Sequence, residues 1–162
     1  MADISPSTTK LQAVTEALEG AGVAFRVHEH QTVDTALAEA AAEHVPPQRV
    51  AKTVVLRAGE RWVLAVIPAS HRLDLRKLRE LLGAGGDLRL ATEEEMAEHF
   101  TRFEVGAVPP IGAIVSAEVV DTRLLDQERV LFFAGDHRHS VEVGVRDLVE
   151  ATQSKIADIC ED

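Results

Sequence analysis

Residues 52–67 read KTVVLRAGERWVLAVI, two apolar runs rich in β-branched side chains around Ala58-Gly59-Glu60-Arg61. Branched side chains favour extended backbone, and glycine at a tight connection accepts the positive φ that brings strands back on themselves, so the stretch predicts an antiparallel hairpin. It is the core hairpin around which the other segments assemble.

Upstream, Ser5 and Pro6 read as a helix cap and first-turn proline, and Leu11, Val14 and Leu18 mark one helical face until Gly20 and Gly22 end it. Phe25 to His30 alternates as a short strand, and Asp34 is placed to cap an alanine-rich helix through about Glu43, closed by Pro46 and Pro47. Beyond the hairpin, Asp74 caps a helix with Leu75, Leu78 and Leu82 as its stripe, Leu73 and Leu78 forming a staple and Gly83 stopping it. Asp87 to Leu90 predicts a strand, and Thr92 caps an acidic helix over Glu93 to Phe100. Ala113 to Val120, Arg129 to Ala134 and Ser140 to Val143 predict strands, followed by a final helix from about Val145 with a break before Ala157. The sum is an α+β fold with a mixed, mostly antiparallel sheet, in one domain over residues 1–162.

Composition narrows function. With 4% aromatic residues and no Tyr, the chain has little surface on which to stack successive bases. A net charge of -10 argues against tracking along a nucleic-acid backbone, so DNA binding is not expected and any contact with RNA is local. One cysteine, Cys160, rules out an intrachain disulfide and a cysteine-rich zinc site; it reads as a tolerated thiol near the tail of a protein in a reducing cytoplasm. No apolar run suggests a signal peptide or a membrane span.

Several constellations carry potential chemistry. His28 and His30, and His137 and His139, alternate in pairs that point to a common metal or to ordinary strand and loop histidines. Ser70, His71 and Asp74 contain the ingredients of a triad, but they sit where a strand ends and a helix is capped. Arg72, Arg76 and Arg79, with Lys77, form a ridge that is either solvated or placed for phosphates. Lys52 shares strand parity with Val54 and Leu56, which predicts either a lysine reaching into water from a strand end or a charge directed into a pocket. Residues 101–112, TRFEVGAVPPIG, place Gly106, Pro109, Pro110 and Gly112 where neither a helix nor a central strand can run.

Taken in order, Ala51-Lys52-Thr53-Val54-Val55-Leu56, Val66-Ile67-Pro68 with Leu73-Asp74-Leu75-Arg76-Lys77-Leu78, Gly106-Ala107-Val108-Pro109-Pro110-Ile111-Gly112 and Ala134-Gly135-Asp136-His137 resemble the YbaK/ProX family of aminoacyl-tRNA editing domains. The similarity runs from about Leu11 to Ala157. Members are freestanding proteins or domains inserted into prolyl-tRNA synthetases, and they hydrolyse the ester joining a wrong amino acid to tRNA. The resemblance implies a sheet curled into a partial barrel with helices outside, no protein nucleophile, and neither cofactor nor metal. It assigns Lys52 to the terminal-adenosine phosphate or the ester carbonyl, and Gly106 to backbone donors for the oxyanion, on a stiff glycine-x-x-x-proline loop ending at Pro110. Thr53 and Pro110 fall among the substrate-binding positions, and Gly135 and His137 on the opposite wall, His137 for ribose contact or proton transfer. The pattern departs at Thr53, where alanine-editing branches carry asparagine, and at Pro109, where the bacterial cysteine-editing type carries serine. The expected partner is the acceptor end of an aminoacyl-tRNA, with a synthetase as a second. The alternative is a noncatalytic module that binds the same tRNA end or a synthetase.

Overall fold

A computed structural model describes residues 6–162, in which helix α1 (Pro6–Gly20) is followed by strand β1 (Phe25–Glu29), helix α2 (Ala36–Ala42) and the hairpin strands β2 (Ala51–Ala58) and β3 (Arg61–Pro68). Helix α3 (Leu75–Leu82), strand β4 (Leu88–Leu90) and helix α4 (Glu93–His99) come next. Past the proline loop lie β5 (Ala117–Asp121), β6 (Arg129–Phe133), β7 (His139–Gly144), helix α5 (Val145–Thr152) and β8 (Lys155–Ala157).

The hairpin pairs antiparallel from Ala51 against Pro68 to Ala58 against Arg61. It forms the middle of a five-stranded sheet ordered β4-β2-β3-β5-β8, in which β5 and β8 join parallel. A separate sheet, β1-β7-β6, is antiparallel throughout. The expected mixed and mostly antiparallel pairing is therefore present but divided between two sheets, joined by an isolated parallel bridge from Val50 to Leu131. No closed barrel forms among the described residues.

Alternation along β3 explains its unbroken apolar sequence. Trp62, Leu64 and Val66 enter a core shared with Val130, Phe132, Val141 and Val143 of the second sheet. Val63, Ala65 and Ile67 enter another core on the opposite face, under α3. A central strand covered on both sides has no polar positions to spare. Helix α1 closes the shared core with Val14 and Leu18, both fully buried, and α5 adds Val145 and Leu148. Helix α2 lies outside the smaller sheet, where Ala40 packs with Val50, Ala69 and Leu131.

Local signals at most helix ends act as expected. Asp74 accepts the Lys77 N–H at 3.2 Å to start α3, and Gly83 ends it at φ +65°. Thr92 and Glu95 form a reciprocal capping box on α4. Three expectations change. Thr35, not Asp34, caps α2, accepting the Ala38 N–H at 3.1 Å. Strand β5 begins at Ala117, because residues 113–116 run irregularly past the proline loop. The final helix ends at Thr152, and Lys155–Ala157 becomes an edge strand beside β5. The cap read at Ser5 lies outside the described residues. Cys160, the thiol near the tail, is fully buried in the core beneath α3, and burial, the leading cause, pushes it up to about 12.

Candidate active site

Lys52, Thr53 and Gly106 line one cavity of about 360 Å³. Five segments supply its walls, one of them by Ala69 alone, just past the end of β3. The start of β2 gives Ala51, Lys52 and Thr53; the end of β6 gives Phe132 and Phe133. The approach to α2 contributes Asp34 and Thr35, and the proline loop contributes Gly106 and Val108. A larger cavity, about 440 Å³, lies at the turn end of the hairpin beside Trp62 and His99 and takes in none of Lys52, Thr53 or Gly106.

Strand parity places Lys52 with half-buried Val54 and buried Leu56, but at the start of β2 that face opens and Lys52 is exposed. Among the described residues no carboxylate forms a salt bridge with its ammonium, so a residue of the cavity wall carries a positive charge with no ion-pair partner among them. Such a charge gains most from an incoming anion or a carbonyl acquiring negative charge.

Gly106 sits at φ +87°, a conformation glycine adopts without a Cβ penalty. Its N–H donates to no other described residue, whereas the next amide, Ala107, closes a turn onto Glu104 O at 2.9 Å. Pro109 and Pro110 that follow are buried, so the loop is anchored at its proline end and open at its glycine. Pro110 is absent from the cavity wall.

Gly135 and His137, expected on the opposite wall, are absent from it as well. At φ +86°, a Cβ on Gly135 would come within 2.8 Å of Lys10 O, so its lack of a side chain admits α1. His137 stands directly behind Gly106, where a Cβ on the glycine would meet Nε2 at 3.3 Å. Its ring Nδ1–H donates to Glu104 Oε1 at 2.9 Å.

The other constellations resolve into local structure. His28 pairs with Glu43 at 2.9 Å, His30 bonds Ser140 at 2.8 Å, and His139 bonds Asp136 and Glu29, so the histidines go to separate partners. No cluster of three or more His, Cys, Asp or Glu suited to a metal occurs among the described residues. Asp74 is occupied as a cap, while Ser70 bonds His71 beside it. Within the basic ridge, Lys77 binds Cys160 O at 2.7 Å together with Asp158, and Arg79 binds Leu88 O. Sequence reasoning missed the aromatic wall of Phe132 and Phe133 and the contribution of Asp34 and Thr35; the paired phenylalanines at a strand end were the available signal.

The sequence pattern described as aminoacyl-tRNA editing domain matches residues 30–151, a span that holds every wall of this cavity. The chain belongs to that family. Over 88 residues the editing domain is 36% identical to a proline–tRNA ligase of Halalkalibacterium halodurans, covering 51% of the chain and 15% of the ligase. Over 70 residues it is 31% identical to a proline–tRNA ligase of Thermosipho africanus, covering 43% of the chain and 12% of the ligase. It thus spans only a small part of these curated relatives. A crystal structure of a proposed trans-editing enzyme for prolyl tRNA synthetase superposes on the editing domain with a TM-score of 0.86 at 30% identity, covering 99% of this chain and all of that one. No helix among the described residues is long and apolar enough to cross a membrane.

Proposed function

We propose that this editing domain is a trans-acting deacylase that hydrolyses the ester of a mischarged tRNA, with water as the nucleophile. The supporting observation is that Lys52 and Gly106 line one small cavity in a chain of the editing family, and that among the described residues the Lys52 ammonium has no salt bridge and the Gly106 N–H no acceptor. An aminoacyl ester is already labile, so holding it beside a water and stabilising the tetrahedral oxyanion suffices. Water adds to the carbonyl carbon, the Gly106 N–H and the Lys52 charge stabilise the developing oxyanion, and the bond to the ribose oxygen breaks. Lys52 alternatively grips the phosphate of the terminal adenosine, and the neighbouring ribose hydroxyl orients the water. The amino-acid side chain packs against Phe132 and Val108, with Thr53 beside it. In this reading Pro110 stiffens the loop, Gly135 positions the turn that carries His137 beside Gly106, and His137 meets the ribose or a proton in transit.

The acidic chain fits a grip limited to the acceptor end of the tRNA in the cytoplasm, with a synthetase as a further partner. We read the two sheets as a partial barrel around the cavity.

A panel of mischarged tRNAs tests the reading. Wild type is expected to release at least one amino acid, and Lys52→Ala to lose about a hundredfold in rate while keeping its circular dichroism and melting temperature. Full activity in Lys52→Ala would discard the assigned chemistry. Binding of tRNA without release of any amino acid would favour the noncatalytic module, and inactivation by chelator would favour a metal-dependent hydrolase.

A further inference from the structure

Glu104 Oε1 accepts two hydrogen bonds from a single residue, the His137 backbone N–H at 2.9 Å and the ring Nδ1–H at 2.9 Å. The Glu104 backbone N–H in turn donates to Gly135 O at 2.8 Å, so the proline loop and the turn after β6 are clamped together at both main chain and side chain. A carboxylate only accepts; a neutral imidazole facing it therefore carries its proton on Nδ1 and leaves a lone pair on Nε2. Phe133, itself part of the cavity wall, meets the ring edge-on at 4.9 Å and restrains its rotation. Nε2 is the ring atom nearest to Gly106, the residue that opens the cavity on this side: a Cβ on that glycine would stand 3.3 Å from it. Chain separation hides the pair in the sequence, since its members stand 33 positions apart.

We propose that Glu104 is a positioning residue that holds His137 with its Nε2 lone pair at the Gly106 edge of the cavity, where it takes the proton of the attacking water. The inference rests on the deacylase reading above. As the water oxygen bonds to the ester carbonyl carbon, its proton passes to Nε2. When the tetrahedral centre collapses, the carbon–oxygen bond to the ribose breaks and Nε2 returns the proton to the departing ribose oxygen, leaving free amino acid, intact tRNA and a neutral ring. No other reactant is consumed.

The test combines steady-state deacylation of a mischarged tRNA with ¹⁵N NMR of the His137 ring, in wild type, Glu104→Ala, Glu104→Gln, His137→Asn and the Glu104→Ala/His137→Asn double variant. Glu104→Ala is expected to lower kcat by about tenfold or more while KM stays within about twofold, because the loss falls on the transition state. Glu104→Gln, whose amide oxygen accepts the same two hydrogen bonds, should retain most of the rate, and the double variant should be no slower than His137→Asn. The ring should be the Nδ1–H tautomer in wild type and in Glu104→Gln, and a mixture in Glu104→Ala. A folded Glu104→Ala with wild-type kcat, or an Nε2–H tautomer in wild type, overturns the proposal while the deacylase reading stands. A wild type that deacylates nothing in the panel overturns that reading and the proton-carrying role with it, whatever the tautomer.

Discussion

At Gly106 and Gly135 the backbone takes nearly the same positive φ, +87° and +86°, yet the surroundings differ. Beyond Gly106 lies the His137 ring, and beyond Gly135 the Lys10 carbonyl, which belongs to a helix and has nowhere to go. Gly135→Ala is therefore expected to cost about 2 kcal/mol of stability, seen as a lower melting temperature, with the surviving folded protein active. Gly106→Ala should cost about 1 kcal/mol, and its main effect should be a lower kcat, since the new methyl presses on Nε2 and crowds the donor. Comparing melting temperature with kcat in the two variants separates the roles. Both glycines stood out in the sequence, as did Lys52, through resemblance to a family pattern. What no pattern carried was the reason for each, because the atoms that crowd a glycine come from elsewhere in the chain.

Helix ends were legible because a cap is written within four residues. Asp74, Gly83 and Thr92 all act where the local rule puts them, and only the choice between adjacent Asp34 and Thr35 went the other way. At α4 the cap reaches further: Glu95 also takes hydrogen bonds from Arg57 of β2 and Arg89 of β4, tying the helix to the sheet edge. The Arg89 hydrogen bond first, then the Thr92 amide and Arg57, hold the Glu95 carboxyl well below the usual carboxylate range. Thr92→Ala is expected to lower stability by about 1 kcal/mol in a denaturant titration, leaving the Glu95 pairs in place. Strand β8 shows the opposite case. Its three residues have no period to read, and its partner Val119 to Asp121 lies more than thirty residues away, so only the assembled sheet reveals it. The division into two sheets was hidden likewise, since β1 pairs with β7 across most of the chain.

For the molecule as a whole, the response to pH follows from carboxyls held in opposite states. Glu39 is fully buried in α2, accepts the Ser140 hydroxyl at 2.5 Å, and is pushed up from 4.5 to about 8, mainly by burial. A folded state that holds its proton more tightly than the unfolded chain loses stability as pH rises. The contribution of Glu39 is complete below about 4.5 and disappears as pH passes about 8. Asp158 runs the other way: the Arg123 hydrogen bond, then that of Lys77, pull it to about 2, so its contribution is present above 3.8 and is lost as pH falls through about 2. Melting temperature is expected to fall between pH 6 and pH 9, and the fall should be shallower in Glu39→Gln; an unchanged slope in that variant would remove Glu39 from the account.

The cavity draws Thr53 from one sheet and Phe132 from the other, and Phe132 also packs in the core layer that keeps the two sheets apart. Exchanging Val66 or Val141 in that layer for a bulkier aliphatic residue would widen the slot without altering a single lining side chain. Under the proposed deacylase function, preference for one acyl group over another becomes a property of the spacer, and two proteins with identical linings need not admit the same amino acid.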